Sequence, residues 1–376
     1  MVDFFIGIGG FFVYLWTMLS SILPIGITKI TVEPVVFECG NENYCIVWAT
    51  STKGSGYVEY TYNGEKKILW DERSGVIRTD DTVHKVVVPK EELQGNTYKV
   101  VSQNVTFKFG YSASKGKIVE SKEYNFNGIP KEDDIKILCI SDIHYMEKEM
   151  YDSLEYFKGT SPDLILYLGD ITSDLITKDQ FINYILKDAH DLSGGEIPVV
   201  YTRGNHETRG EFASQLIDCF AMETDEFYYT FEFGSLSAIV LDPGEDKEDD
   251  HKEYSGLVDF AAYREQQYEW LESLDKSEFE DGKYKIVFSH HPNLSNHFGK
   301  DWTKPLIDLD MDLIVGGHTH KSAFVDGELP IFFDGGKINS TSGCWAASMM
   351  TLKDGQIHML TIDNSGNTLL DETINV

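Results

Sequence analysis

The chain has 376 residues, 41% of them hydrophobic, 25% charged and 13% aromatic, which fits a packed protein of two or three domains and excludes disorder, collagen and coiled coil as its main state. Asp and Glu number 62 against 32 Lys and Arg, a formal charge of −30, so a surface that tracks nucleic-acid phosphates is not expected. The five cysteines are scattered and form no CxxC pair, which removes disulfide-scaffold, zinc-ribbon and thioredoxin-type readings.

Residues 1–28 stand apart. Between Asp3 and Lys29 the run from Phe4 to Thr28 carries no charge, and about 25 such residues are enough to cross a bilayer. Gly7, Gly9, Gly10, Pro24 and Gly26 are tolerated in a membrane helix and poor in a soluble one. Three readings stay open: a membrane anchor, a signal peptide whose positive start is offset by Asp3, or a segment packed on the body. The first two make the protein membrane-anchored or secreted, with its remaining domains extracytoplasmic.

Residues 29–128 read as short strands, among them Val35–Cys39, Cys45–Trp48, Gly56–Tyr60, His84–Val88, Thr97–Val101 and Lys117–Glu120. Turn-rich pieces such as Gly40–Asn43 and Asn63-Gly64 separate them, the pattern of a small antiparallel β-sandwich. Cys39 and Cys45 flank one turn and are either a disulfide or two free thiols. No metal cluster or nucleophile–base pair occurs here.

After the linker Asn127–Pro130 the pattern changes, and residues 129–376 read as an α/β domain. Met150, Leu154 and Phe157 recur at helical spacing, a longer helix starts at the N-cap Thr177, and another covers Phe260 to Leu274. Phe227–Phe231 and Ala238–Leu241 flank Gly234-Ser235 as a hairpin in a second sheet. Trp345–Leu352 and Gln356–Ile362 read as two closing strands.

Five apolar runs of this domain end in polar residues. Ile135–Ile140 leads into Asp142 and His144, Leu164–Leu168 into Asp170, and Pro198–Tyr201 into Arg203-Gly204-Asn205-His206-Glu207. Tyr284–Phe288 leads into His290 and His291, and Leu313–Val315 into His318 and His320. Open α/β sheets gather ligands at the carboxyl ends of their strands. Imidazole, carboxylate and amide oxygen together suit borderline ions such as Zn, Mn or Fe, and the lack of cysteine at these ends disfavours a structural zinc site.

The series Asp142-Ile143-His144, Gly169-Asp170, Gly204-Asn205-His206-Glu207, His290 and Gly317-His318-Thr319-His320 resembles the motif set of the calcineurin-like metallophosphoesterases over about residues 134–345. The preceding strands are similar, more loosely, to the fibronectin-like domain of purple acid phosphatases. The resemblance implies a four-layer αββα sandwich and two divalent or trivalent ions (Fe, Zn or Mn). One ion would be held by Asp142, His144, Asp170 and His320, the other by Asp170, Asn205, His290 and His318, with Asp170 as the bridge. It further implies attack of a metal-bound hydroxide on a small phosphoester, with His206 stabilising phosphoryl oxygens or protonating the leaving group and Glu207 orienting its neighbours.

Two departures matter. Purple acid phosphatases place a metal-binding Tyr where this chain has Ser173, and they lack the His at position 144, so their colour is not implied. Arg203 resembles the phosphate-binding Arg of protein Ser/Thr phosphatases, but no second Arg follows Gly169-Asp170 as in those enzymes, so a protein phosphatase is not expected, and the phosphate-clamp and salt-bridge readings of Arg203 both stay open. The acidic run Gly244–His251 reads as a solvated loop that would turn polyanions away if it bordered the cleft. His84, His190, His297 and His358 read as structural or solvated, and His291 as a rim residue. The expected function is hydrolysis of small phosphomonoesters, with a phosphodiesterase or nucleotidase of the same fold, or a non-catalytic surface binding protein, as alternatives.

Overall fold

The computed structural model describes residues 11–12, 15, 26–109, 112–130, 133–295 and 299–376. The readings of the uncharged run Phe4–Thr28, and that of His297, fall on residues almost wholly outside this set. Among the described residues no helix is long and apolar enough to cross a membrane.

Strand β1 (Ile30–Glu38) runs antiparallel to β2 (Asn43–Tyr62), a single 20-residue strand where the sequence pattern indicates two. Residues 44–50 of β2 pair with β1 and, after the hairpin strand β3 (Glu65–Trp70), residues 43–49 pair with β4 (Asp81–Pro89). From Gly54 onward β2 pairs with β5 (Thr97–Phe109), which in turn pairs with β6 (Ser112–Glu120). Gly54 marks the change of partner: a Cβ there would lie 2.4 Å from the carbonyl oxygen of Gln103, so only glycine allows that approach. The two halves of β2 enclose one core, in which Val36, Ile46, Trp48 and Val88 meet Val58, Tyr60, Tyr98 and Val100.

Alternate residues of β1 and β2 point the other way, as strand geometry requires. Val35, Phe37, Cys45 and Val47 belong to the core of the α/β part, and Phe37 meets Phe220 edge-on at 5.1 Å between ring centroids. Cys39 and Cys45 are both free and buried.

The α/β part begins with parallel strands β7 (Asp134–Ile140), β8 (Leu164–Tyr167) and β9 (Val199–Tyr201). β9 does not end the sheet. It is short and wholly apolar, and β1 lies parallel beside it with Phe37 opposite Val199. The sheet thus runs across the expected boundary at residue 128.

A second sheet contains the hairpin β10 (Tyr229–Phe233) and β11 (Leu236–Leu241), turned at Gly234 with φ +62°, then β12 (Tyr284–Ser289) and β13 (Leu313–Gly316). β14 (Ala323–Val325) and β15 (Ile331–Phe333) complete it in the order β10-β11-β12-β13-β15-β14. β16 (Trp345–Lys353) and β17 (Gln356–Asp363) return to the first sheet, followed by β18 (Thr368–Asn375), which the sequence pattern does not indicate. β18 is largely exposed and has no apolar alternation to signal it. The first sheet then reads β18-β17-β16-β7-β8-β9-β1-β2-β5-β6, with fourteen strands counting those off this path.

The sheets share a core, to which Ile137, Leu166 and Val200 contribute from the first and Phe231, Val240, Phe288 and Val315 from the second. Helix α1 (Glu147–Leu154) adds Met150 to it. Helical turns from Lys178 to Ser193, ending in α2 (Lys187–Ser193), add Phe181, Ile185 and Ala189. Thr177 starts them as expected, its N–H donating to Gln180 Oε1 at 3.0 Å, and Gly194 stops them at φ +61°. Helix α3 (Phe260–Ser273) and helix α4 (Thr303–Asp308) pack Leu271 and Leu306 against Ile239, Val287 and Ile314 of the second sheet.

Asp188 on α2 yields a test of this packing. Burial, then Glu147, pushes its carboxyl up to about 7. An acid raised on folding favours the folded state only while protonated, so its contribution is full below the unfolded value near 4 and is lost as pH rises towards 7. Asp188→Asn should match the wild type in thermal unfolding near pH 4 and exceed it by about 1–3 kcal/mol at pH 8. A gap that stays constant across that range would mean the carboxyl is ionised in the folded protein throughout.

Candidate metal centre

The five polar strand ends converge. Asp142 and His144 follow β7, Asp170 follows β8, Asn205 and His206 follow β9, His290 follows β12, and His318 and His320 follow β13. Asp142, His144, Asp170 and His320 present ligand atoms within 4.8 Å of one another, as do Asp170, His290 and His318. Asp170 belongs to both groups.

The backbone is bent to allow this. Asp142, His144, Asp170, His318 and His320 all have φ between +46° and +62°, where residues other than glycine are strained. Strain at five positions around one point marks a functional constraint rather than a packing accident. Close backbone approach is also needed: a Cβ on Gly169 would lie 2.5 Å from the Cα of Gly204, so the loops after β8 and β9 touch only because both residues are glycine.

Each ring is aimed by the nitrogen it turns away. His290 Nδ1–H donates to the Leu168 carbonyl at 2.6 Å, leaving Nε2 3.2 Å from Asp170 Oδ2 and 3.1 Å from Asn205 Oδ1. His320 Nδ1–H donates to Asn339 Oδ1 at 3.0 Å, and its Nε2 lies 3.2 Å from Asp142 Oδ1. His318 Nδ1 lies 3.2 Å from Asn205 Oδ1, and His144 Nε2 lies 3.5 Å from Asp170 Oδ2. Asp142 Oδ1 and His144 Nε2 are buried without a hydrogen-bond partner. Two such buried and unpartnered atoms facing one another are what a cation would satisfy.

Electrostatics reflect the same crowding. Burial raises the Asp170 carboxyl, but the imidazoles of His290, His206 and His144 outweigh it and hold the group far below the usual carboxylate range. Burial lowers His290 while the adjoining Asp170 carboxylate lifts it, and the carboxylate wins, bringing the ring to about 10. At His144 burial wins over Asp170 and Asp142 and takes the ring down to about 4.

Glu207 sits behind the ligands, fully buried. Its Oε2 accepts the backbone N–H of Asp170 and of Gly204, both at 2.9 Å, and its Oε1 accepts that of Thr172 at 3.0 Å. Burial and the neighbouring Asp170 carboxylate push it up to about 7, against the pull of the N–H donors. His206 donates Nδ1–H to the Ser173 carbonyl at 2.8 Å and holds Nε2 3.8 Å from Asp170 Oδ2. The position at which purple acid phosphatases carry a Tyr thus serves His206 through its backbone and His144 through its hydroxyl, 3.3 Å from Nδ1.

One open reading is decided and two others change. The structure gives Arg203 to a salt bridge: its Nη2 is 2.6 Å from Asp242, and its guanidinium lies over the rings of Phe227 and Tyr263 at 4.7 and 5.5 Å. A side chain next to a motif in sequence leaves its turn in a different direction from its neighbours, and Arg203 points to partners of its own. The acidic run 244–251 is solvated only in part. Glu245 is fully buried, bonded by Arg209, Asn205, Thr208 and Tyr254, and Asp246 lies 3.6 Å from His318 Nε2, which holds the Asp246 carboxyl well below its usual range. His291 is buried and bonded to the Gly244 carbonyl rather than standing at the rim. Sequence reasoning passed over Arg209 and Glu245. The available signal was spacing, because a short 3₁₀ turn at His206–Thr208 places Arg209 close to His206.

The family model for calcineurin-like phosphoesterases matches residues 135–322, half of the chain. No curated protein matches the chain in sequence. Among solved structures, a dimetal phosphatase from Danio rerio is 16% identical, with 64% of this chain and 98% of that one covered at a TM-score of 0.43. A phosphoesterase from E. coli is 14% identical, with 64% and 100% covered at 0.32. A cold-active protein-tyrosine phosphatase of a psychrophilic Shewanella is 13% identical, with 92% and 100% covered at 0.31.

Glu207→Gln tests the loop clamp. An amide must turn its NH2 towards at least one of three backbone N–H donors, losing one or two buried bonds at a cost of about 1–3 kcal/mol each. The variant should show a lower Tm and reduced metal content together. Unchanged values of both would show that the carboxylate does not hold the loops in place.

Proposed function

Because the chain belongs to the calcineurin-like phosphoesterase family and is a metal-dependent phosphoester hydrolase, we propose that it hydrolyses small phosphomonoesters at a two-ion site. In this reading Asp142, His144, Asp170 and His320 hold one ion, and Asp170, Asn205, His290 and His318 hold the other. The arrangement of His290 is the observation that carries it: with Nδ1 committed to Leu168, Nε2 meets two oxygens that have no proton to give. The all-nitrogen and oxygen donor set suits Zn, Mn or Fe. Once bound, such a pair of ions draws charge from the phosphoryl oxygens and makes a water acidic near neutral pH.

The chain's own groups supply the rest. Asp170, kept ionised by the surrounding rings, would be the carboxylate shared by both ions. Ser173 accepts the Nδ1–H of His206, so the proton that the ring can offer to a phosphoryl oxygen or a leaving group is one carried on Nε2, in place of that nitrogen's contact with Arg209. The buried carboxylates and the exposed acids of the 244–251 loop favour a compact substrate over a polyanion. The reading includes the four-layer αββα arrangement for the two stacked sheets and a fibronectin-like origin for the strands of residues 29–128.

Metal analysis of purified protein should give close to two ions per chain, and Asp170→Asn should reduce both. A single tightly held ion untouched by that change would overturn the bridge. Activity measured on phosphomonoesters, phosphodiesters and nucleotides with Mn, Zn and Fe should be highest on small monoesters.

His206→Ala should keep its metals and lose about 10²–10⁴-fold in kcat on substrates with a poor leaving group, and less on an aryl phosphate if protonation is its role. Metal loss from this variant would make His206 a ligand instead.

A further inference from the structure

We propose that Arg209, held by the buried Glu245, is the residue that grips the phosphoryl oxygens of the substrate, the role for which the sequence offers Arg203. The inference rests on the phosphoester-hydrolase reading of the same site.

Arg203 is committed elsewhere: Asp242 takes its Nη2 at 2.6 Å, two rings cover its faces, and its Nε is buried. Tyr263 adds to this by donating its hydroxyl to Asp242 at 3.0 Å. Arg209 is placed differently. Its Nε and Nη2 donate to the two oxygens of Glu245 at 2.7 and 3.0 Å, a paired contact that fixes the plane of the guanidinium. Its Nη1 donates to His206 Nε2 at 3.2 Å, and that nitrogen lies 3.8 Å from the Asp170 carboxylate. One imidazole therefore separates the guanidinium from the shared ligand of the centre.

A guanidinium has five N–H groups. Three are used in these bonds, and two remain, one on each terminal nitrogen, as a fork on a half-exposed side chain. A fork of that kind suits two oxygens of a phosphoryl group. Glu245 also accepts from Asn205 Nδ2 at 3.3 Å and from the Tyr254 hydroxyl at 3.0 Å. The same carboxylate thus sets the orientation of Arg209 and of Asn205, whose Oδ1 is thereby turned towards His290 and His318. Glu245 is a positioning residue, and Arg209 is the one that touches the substrate.

The test uses the metal-loaded full chain and inorganic phosphate, measured by calorimetric titration and as a competitive inhibitor. Arg209→Gln should bind phosphate roughly 10- to 100-fold more weakly with metal content unchanged. Arg209→Lys should recover only part of that loss, because an ammonium has no fork to divide between Glu245 and phosphate. Should Arg209→Gln lose metal because Glu245 is left unpaired, the doubly neutral Arg209→Gln/Glu245→Gln replaces it: weak phosphate binding with metals retained supports the proposal. Phosphate affinity that survives in both, or that is lost in Arg203→Gln instead, overturns it. A wild type that binds no metal and cleaves no phosphoester would fail earlier, at the hydrolase reading itself.

Discussion

One buried carboxylate holds the centre together. Glu207 accepts backbone N–H groups from Asp170, Thr172 and Gly204, and so joins the loops that leave β8 and β9. Without it, three buried donors would be unsatisfied where Gly169 and Gly204 are already in contact. The positive φ values of the ligand residues are tolerable because of such anchors. Strained loops persist only where their surroundings over-determine them, and here the surroundings are hydrogen bonds from residues that do not themselves face the substrate.

The aiming of the rings follows the same logic. Leu168, Ser173 and Asn339 each accept a hydrogen bond from the N–H turned away from the centre, on His290, His206 and His320 respectively. Two of these acceptors are backbone carbonyls, so the tautomer is written into the chain trace and survives any change of side chain at those positions. Fold and chemistry are coupled there: the carbonyl that orients His290 is that of Leu168, which immediately follows β8.

The strand ends were legible because each couples a buried apolar run, which fixes the strand, to polar residues that could not remain within it. Asp142, His144, Asp170, Asn205, His290, His318 and His320 all lie in the segments that contrast picks out, and the resemblance in motif selects them as the ligands. Other features lack a local signal. The pairing of Phe37 with Val199 is a long-range parallel contact, and nothing in the strand pattern of residues 29–128 says that one edge lies on the α/β sheet. The junction between the halves of β2 looks like a turn because Ser51, Thr52, Lys53 and Gly54 are turn-forming residues, yet tertiary pairing keeps the strand running. Glu245 was hidden by its neighbours, since a run of acids reads as solvent-facing and burial of one member depends on Arg209, Asn205 and Tyr254 arriving from elsewhere. Arg203 and Arg209 differ only in where the loop directs them, which spacing from a motif does not reveal.

The position of β1 has a consequence for how the chain reaches this state. β1 leaves the ribosome well before β9, beside which it must lie. At about 5–20 residues per second the interval is on the order of ten seconds or more. During that time one apolar edge of β1 has no native neighbour, while β2 is available to protect only the other. Strand pairing across so much intervening chain is entropically slow, and an open edge of this composition invites association with other nascent chains. The sheet that joins β1 to β9 therefore makes synthesis a stage at which this chain is exposed to misassembly.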